Sequence, residues 1–414
     1  MTALFPPLVI LWAWIWQALD PDKSCAKALS RINAHRAFLG LPPLSTDTGG
    51  YCKARKRPPE GFFKRVFKYL GAALSADAPE TELWHNRRVL VVDGTKCSMP
   101  DTPANQKKYP QPTSQKEGCG FPLASVVAVF CLATGAALDM AIGRCHTHDL
   151  TLFYFVRSIF DAGDVMLADR GFCSFAELSL MKMRSVDVVT RLHQARFSGM
   201  KRFRMTAIRE RIVRWTRPAA KPRGLRWRDY RMLPAFLDVR IVKYRVECAG
   251  FRTKEVEVVT TLLDAAEYPA KDVADLYFRR WEVEIDFRHI KDTMKMDALR
   301  GKSPGVVRRE MFVHMTAYNL VRRVMFESAV REKISAARMS FKGSIQAVSA
   351  HADLFAVAAG DDKIRIMDSL MRVIGACEVP LRPGRFEPRV RKRRPKNYPL
   401  MTRPRAELKA AMSA

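Results

Sequence analysis

Apolar and polar positions change rhythm along the chain, and each rhythm predicts a different element. Residues 1–80 read as mostly helical. The run ALFPPLVILWAWIWQAL, Ala3 to Leu19, is apolar almost throughout and predicts a buried helix. A second helix is expected from a cap at Asp22 to about Leu39, where Gly40 and the pair Pro42–Pro43 stop it. TDTGGYCKARKRPPEGFF then reads as a basic loop leading into another helix, with Arg55, Lys56 and Arg57 either on phosphate or on a solvated surface.

From Arg87 the pattern becomes β. Val89–Val92 is a short β-branched run ended by Asp93–Gly94, which predicts a buried strand. Residues 121–143 offer two strands joined by a turn at Gly135, and Thr147–Phe160 reads as helical. DVMLADRGF, 164–172, is a strand with Asp169 at its end. A helix from about Ser174 and a strand at Val186–Thr190 follow. Val239–Cys248 and Val256–Leu263 read as strands, Asp272–Met294 as one helix, and Val306–Ala329 as a long amphipathic helix.

Composition narrows the function classes. With 414 residues and 48% hydrophobic content, the chain can bury a sizeable core. Lys and Arg number 71 against 42 Asp and Glu, a net charge of +29, so the natural partner is a polyanion. The basic residues cluster. Between Arg191 and Arg231 the only acids are Glu210 and Asp229, and Leu381–Arg405 is an extended, proline-rich basic arm whose one acid is Glu387. Nine scattered cysteines without a CxxC pair indicate a reducing compartment and argue against a disulfide framework or a zinc ribbon. No basic residue precedes the apolar run at 3–19, and it holds Pro6, Pro7 and Gln17, which disfavours a signal peptide or membrane span.

The window YFRRWEVEIDFRHIK carries the most chemistry. On a regular helix Tyr277, Arg280, Glu284 and Lys291 share a stripe roughly 60° wide. One carboxylate among cations and a phenol describes a solvated, salt-bridged face equally well as a site for a metal ion and phosphates. Asp93 and Asp169, each at a strand end, add two further acids where α/β sheets gather their sites. Two aspartates and a glutamate offer only hard oxygen ligands, which suit Mg²⁺ or Mn²⁺. Read singly, each acid also has a local explanation: a turn at Asp93–Gly94, an ion pair at Asp169–Arg170, a bridge from Glu284 to Arg280 or Arg288. His146 and His148 lack a further ligand cluster, and Trp215 and Trp227 are candidates for core packing or for stacking on an unpaired base.

The spacing Y-x2-R-x3-E-x6-K formed by these four residues resembles the signature of IS4-type insertion-sequence transposases, a branch of the DDE superfamily. VVDGT at 91–95 and LADRGF at 167–172 are similar to their first and second aspartate motifs. KARKRPPE at 53–60, YNLVRRVM at 318–325 and RPGRFEPRVRKRRPK at 382–396 also look like segments of such proteins.

The resemblance implies an α/β fold: an RNase H-like core with a mostly β insertion and a helical N-terminal region. The expected division is a helical region at 1–85, core at 86–190, basic insertion at 191–268, core again at 269–335, helices at 336–380 and a basic tail at 381–414. It implies Asp93, Asp169 and Glu284 as catalytic ligands of two Mg²⁺ (or Mn²⁺) ions, and Tyr277, Arg280 and Lys291 as DNA-binding residues. Double-stranded DNA, both element ends and target, is the implied partner. A homodimer on DNA, no membrane, and a cytoplasmic, nucleoid-associated location complete the expectation. The chain starts with little room for the N-terminal DNA-binding region such proteins carry, which suggests a shortened copy. A metal-dependent nuclease without strand transfer, a non-catalytic DNA-binding relic and a membrane-anchored basic protein are the competing readings.

Overall fold

The structure, a computed structural model, describes residues 5–194, 208–222, 224–246, 255–380 and 398–413. The chain opens with four helices: α1 (Pro7–Leu19), α2 (Cys25–Phe38), α3 (Gly49–Ala54) and α4 (Glu60–Ala76). Then come β1 (Val89–Ser98), α5 (Pro103–Lys108), β2 (Leu123–Cys131), β3 (Ala137–Arg144), α6 (Asp149–Phe153), β4 (Val165–Ala168), α7 (Phe175–Lys182) and β5 (Asp187–Arg191). β6 (Arg209–Thr216), α8 (Trp227–Met232), β7 (Phe236–Arg245) and β8 (Glu255–Thr260) follow. The remainder is helical: α9 (Ala270–Arg279), α10 (Trp281–Arg288), α11 (Pro304–Glu332), α12 (Phe341–Val357), α13 (Asp361–Ala376) and α14 (Arg405–Ser413).

All eight strands join one sheet in the order β3-β2-β1-β4-β5-β8-β7-β6. β1, β2 and β3 are antiparallel neighbours, while β4 and β5 run parallel to β1. Those five strands form the RNase H-like arrangement that the resemblance implied. β8, β7 and β6 then extend the sheet in antiparallel fashion beyond β5. Part of the basic stretch, 195–207, and the arm at 381–397 lie outside the described residues, as do positions 247–248 at the end of one expected strand.

Both faces of the five-strand part of the sheet are covered, and strand alternation sorts the side chains between two cores. Val89 and Val91 enter the core beneath α1, α4, α10 and α11, whereas Leu90 and Val92 enter the core beneath α6 and α7. α1 belongs to the first core: Ile10, Ala13 and Trp14 are buried, and Trp14 packs edge-on against Phe63. The expected buried helix is therefore present, and among the described residues no helix is long and apolar enough to cross a membrane.

α11 explains the segment YNLVRRVM in structural terms. Tyr318 Oη donates to the carbonyl of Gly135 at 2.8 Å, Arg322 donates to the carbonyl of Thr134, and Asn319 both accepts from Ala137 N and donates to Ala137 O. These bonds fix the β2–β3 turn, in which Gly135 takes a φ of 68°. α4 closes on the same place. A Cβ at Gly71 would lie 2.2 Å from the Ala137 carbonyl oxygen, a backbone atom that cannot step aside. Gly71→Ala should therefore cost about 3 kcal/mol, seen as a lowered denaturant midpoint with unchanged slope.

Several local expectations change. Ser24 caps α2 by accepting from Lys27 N, while Asp22 accepts from Ser24 N just before the helix. β1 does not end at Asp93; pairing with β2 carries it on to Ser98. The helical stretch expected over Thr147–Phe160 is only α6 and a 3₁₀ turn at Arg157–Ile159. Arg55 is buried, so of the three arginine and lysine residues at 55–57 two, Lys56 and Arg57, remain exposed. The helix expected over Asp272–Met294 is three pieces: α9, α10 and a π-turn at His289–Thr293. At the first junction the backbone tightens, with Val283 N donating to Arg280 O. At the second it widens, where the His289 ring stacks on Phe341 at 4.6 Å.

Candidate active site

Strand register brings the two aspartates together. β1 and β4 are parallel, and Val92 opposite Ala168 is their last pair. One residue further on, Asp93 and Asp169 stand at adjacent positions. Alternation directs both to the same face, because Val91 and Leu167 lie in the first core and Val92 and Ala168 in the second. Val283 and Phe287 of α10 pack into that first core, which carries Glu284 over the Asp93 end.

Arg280 joins the acids electrostatically. Its Nη2 donates to Glu284 Oε1 at 2.8 Å, and its Nη1 lies 3.7 Å from Asp93 Oδ2. Burial, with smaller contributions from Asp169 and Glu284, pushes the Asp93 carboxyl up to about 6 against the pull of Gly94 N–H and Arg280. Gly94 N donates to Asp93 Oδ1 at 2.7 Å. Asp169 Oδ1 accepts from Gly171 N at 2.8 Å, and its carbonyl accepts from Thr190 Oγ1 at 2.6 Å, so both main chain and side chain are held.

An open cavity of about 350 Å³ lies between Asp93, Gly94, Thr95, Glu284 and Lys291. A larger one, about 700 Å³, lies away from these acids among Trp12, Trp16, Phe355 and Leu370 and is mostly apolar. The smaller cavity is the one toward which polar groups converge, and size without such groups provides no reaction.

The other stripe residues fare differently. Lys291 lines the cavity although it sits in the π-turn, off the regular helix on which the stripe was drawn. Tyr277 is buried, with the Arg280 guanidinium 5.9 Å from its ring centre, and burial raises its phenol. In this structure Tyr277 and Arg280 face protein groups, and Lys291 is the stripe cation that faces the cavity.

Do these residues fit a divalent cation? Among the described residues no three His, Cys, Asp or Glu side chains close into a ready metal cage. The chemistry nonetheless fits. The donors are oxygen only, Asp93 is an unfavourable anion beside two others, and a guanidinium stands as substitute cation between Asp93 and Glu284. His146 and His148 do not join them: His148 Nδ1 accepts from Leu150 N as the cap of α6.

A fourth acid, given no role from the sequence, lies near Asp169. Asp149, the first residue of α6, lays its carboxylate over Gly94, where a Cβ would meet its Oδ2 at 2.7 Å. Burial and the nearby Asp169 raise the Asp149 carboxyl. Gly94 is thus explained by close approach rather than by a turn. α8 docks just beyond the same helix: Arg226 lies 4.2 Å over the Tyr154 ring, and Arg157 pairs with Asp229 at 3.2 Å. Trp227 at the start of α8 is 60% exposed, whereas Trp215 is core, which separates the two tryptophans.

The family described as "Transposase DDE domain" matches residues 84–320, the span from before β1 into α11. The chain belongs to the DDE transposase family. It is 25% identical over 404 residues to the transposase InsG of insertion sequence IS4 from Escherichia coli K12, covering 95% of this chain and 87% of the relative. Shorter similarities include 31% identity over 88 residues to a probable transposase of IS5377 from Geobacillus stearothermophilus, 21% of this chain and 22% of that one. A solved piggyBac transposase synaptic complex with hairpin DNA superimposes with a TM-score of 0.45 at 11% identity, over 91% of this chain and 77% of that one. The IS4-type resemblance first seen in the spacing of Tyr277, Arg280, Glu284 and Lys291 is borne out. In this DDE transposase the two aspartates and the glutamate reach one end of the sheet from β1, β4 and α10. Sequence spacing alone gave no sign of Asp149, whose only signal was an acid opening a helix after β3.

Proposed function

We propose that this IS4-type transposase hydrolyses the phosphodiester at the ends of its element and joins the freed 3′-hydroxyl to target DNA. The observation that carries the proposal is the placement of Asp93, Asp169 and Glu284 around one end of the sheet, with Arg280 between two of them. These three carboxylates would hold two Mg²⁺ or Mn²⁺ ions. When bound, such ions activate the attacking oxygen and stabilise the leaving one in an in-line displacement. Gly94 N–H and Gly171 N–H orient the Asp93 and Asp169 carboxylates. Arg280 serves two partners in turn, the acid pair and a backbone phosphate, and Tyr277 packs beneath its guanidinium to set its direction. Lys291 on the cavity wall binds a phosphate flanking the cut. The exposed ring of Trp227 is available to stack on a base, with Lys221 Nζ 5.6 Å away to meet the adjoining phosphate. The protein would act on double-stranded DNA as a homodimer, in the cytoplasm at the nucleoid.

Incubation with Mg²⁺ and a DNA fragment carrying the element's own ends tests the reading. Cleavage with joined product is expected. Cleavage without joining would indicate a nuclease, and salt-dependent binding without cleavage a DNA-binding relic.

The acid strength of Asp93 adds a pH dependence. Protonated Asp93 is a poor ligand, so at limiting Mg²⁺ the cleavage rate should rise with pH through about 6 and then level off. Saturating Mg²⁺ competes with the proton and should move that midpoint to lower pH. A midpoint indifferent to Mg²⁺ would separate Asp93 from metal binding.

A further inference from the structure

Away from the acids, the N-terminal helices bring two cysteines into contact. Cys25 is the first residue of α2 and Cys52 lies on α3, and their sulfurs are 3.6 Å apart. Arg55 Nη2 donates to Cys25 Sγ at 3.2 Å and lies 3.6 Å from Cys52 Sγ. Gln17 Nε2 is 3.7 Å from Cys25 Sγ. Both cysteines are half-buried rather than sealed in the core.

Arg55 makes this arrangement unusual. It is buried, with its guanidinium 4.9 Å from the Trp14 ring and 5.1 Å from the Tyr51 ring. Among the described residues the two sulfurs are its hydrogen-bond acceptors, and its Nε is buried without a partner. A buried guanidinium calls for an anion, and a neutral thiol is a weak acceptor. The Glu310 carboxylate is near enough to feel Arg55 but is hydrogen-bonded to Arg300 N and Gly301 N, so a thiolate at Cys25 would be the anion in direct contact, aided by its place in the first turn of a helix. Burial opposes this and holds the Cys25 thiol above its ordinary value, with Arg55 pulling the other way. The same guanidinium, within bonding distance of both sulfurs, repels a metal cation, so thiol oxidation rather than metal ligation is the chemistry that suits the pair.

We propose that Cys25 and Cys52 form a redox pair that closes to a disulfide on meeting a hydroperoxide and thereby staples α2 to α3. The Cys25 thiol loses its proton to solvent, and its thiolate attacks one peroxide oxygen, breaking the O–O bond. With hydrogen peroxide this yields a sulfenic acid and hydroxide, which takes up the proton as water. Cys52, deprotonated in its turn, attacks the Cys25 sulfur and expels the hydroxyl as a second water. Two thiols are oxidised by two electrons, and one peroxide is reduced to two waters. The sulfurs must approach by roughly 1.5 Å, a movement shared between side-chain rotation and the short helix α3. Arg55 favours Cys25 as the attacking sulfur because it lies nearer to it, leaving Cys52 to resolve.

The test treats the full chain with hydrogen peroxide, followed by non-reducing peptide mapping and mass measurement. The expected product joins the peptides of Cys25 and Cys52, is lighter by two hydrogens, and reverts with dithiothreitol. Its melting temperature should rise by about 5 °C, because the bridge closes a loop in the unfolded chain. Cys52→Ser should leave Cys25 as a trappable sulfenic acid, and Cys25→Ser should leave Cys52 reduced under the same exposure. Reduced Cys25 and Cys52 in folded parent protein whose other thiols have oxidised would overturn the proposal. So would a Cys25 bridge to any other cysteine. The mapping of the parent protein decides the matter even if a serine variant fails to fold.

Discussion

In metal-free buffer at pH 7, Asp93→Asn is expected to melt above the parent protein while cleaving no DNA when Mg²⁺ is restored. The two halves of that result have one cause. Burial and the neighbouring acids raise the folded-state Asp93 carboxyl from its ordinary 3.8 to about 6. The folded chain therefore binds a proton more readily than the unfolded chain. The associated stability is fully present below the ordinary aspartate range and is lost as pH rises through about 6. At pH 7 the charged form weighs against folding, by up to about 2 kcal/mol once partial exposure is allowed for. Asparagine removes that charge, keeps an oxygen to accept from Gly94 N–H, and leaves Arg280 its bond to Glu284. The lost ligand should lower cleavage by on the order of 10³-fold or more. Glu284→Gln should lose as much activity, since its amide can still accept from Arg280 but brings no charge to the site. The stability gain should vanish near pH 4, where the parent Asp93 is protonated as well. A parent and variant that differ equally at pH 4 and pH 7 would show that packing rather than charge sets the difference. An Asp93→Asn protein with parental cleavage would remove the residue from the chemistry.

The grouping of these acids was partly legible in the sequence. Val89–Val92 and Val165–Ala168 are short β-branched or apolar runs, each followed by an aspartate, and period-two alternation suffices to put both acids on one face once the strands are neighbours. Their being neighbours, and parallel, is a long-range fact that no local pattern encodes. The spacing of Tyr277, Arg280, Glu284 and Lys291 pointed to the third acid, but a regular helix was the wrong frame for it. The tight junction at Arg280 and the π-turn at His289–Thr293 depend on packing against β1 and Phe341, which come from distant parts of the chain. Arg55 shows the same limit in reverse. Among KARKRPPE it reads as one more surface cation, yet the aromatic rings of Trp14 and Tyr51 and the sulfurs of Cys25 and Cys52 enclose it. The cap of α2 failed for a smaller reason: Asp22 and Ser24 both suit a helix start, and the two-residue difference is within the fraying of such boundaries.

Gly94→Ala should lower cleavage by about 10²-fold while leaving the melting temperature within a few degrees of the parent. Gly94 sits in mid-strand and takes no left-handed conformation, so an added methyl strains nothing in the backbone. Its nearest obstacle is Asp149, whose Oδ2, Cγ and Oδ1 would lie 2.7, 2.9 and 3.1 Å from the new Cβ. A carboxylate on a single-carbon stem can swing away at modest cost in stability. It then leaves its place over Gly94, where its charge acts on Asp169. Asp149→Ala should reproduce the loss, and the double variant should be no worse than either single one, because both changes remove the same contact. Additive losses would mean that the methyl acts on Asp93 through β1 itself. A fully active Asp149→Ala with an inactive Gly94→Ala would carry the same message. Either outcome distinguishes an acid that takes part in holding the site from one that merely fills the space above a glycine.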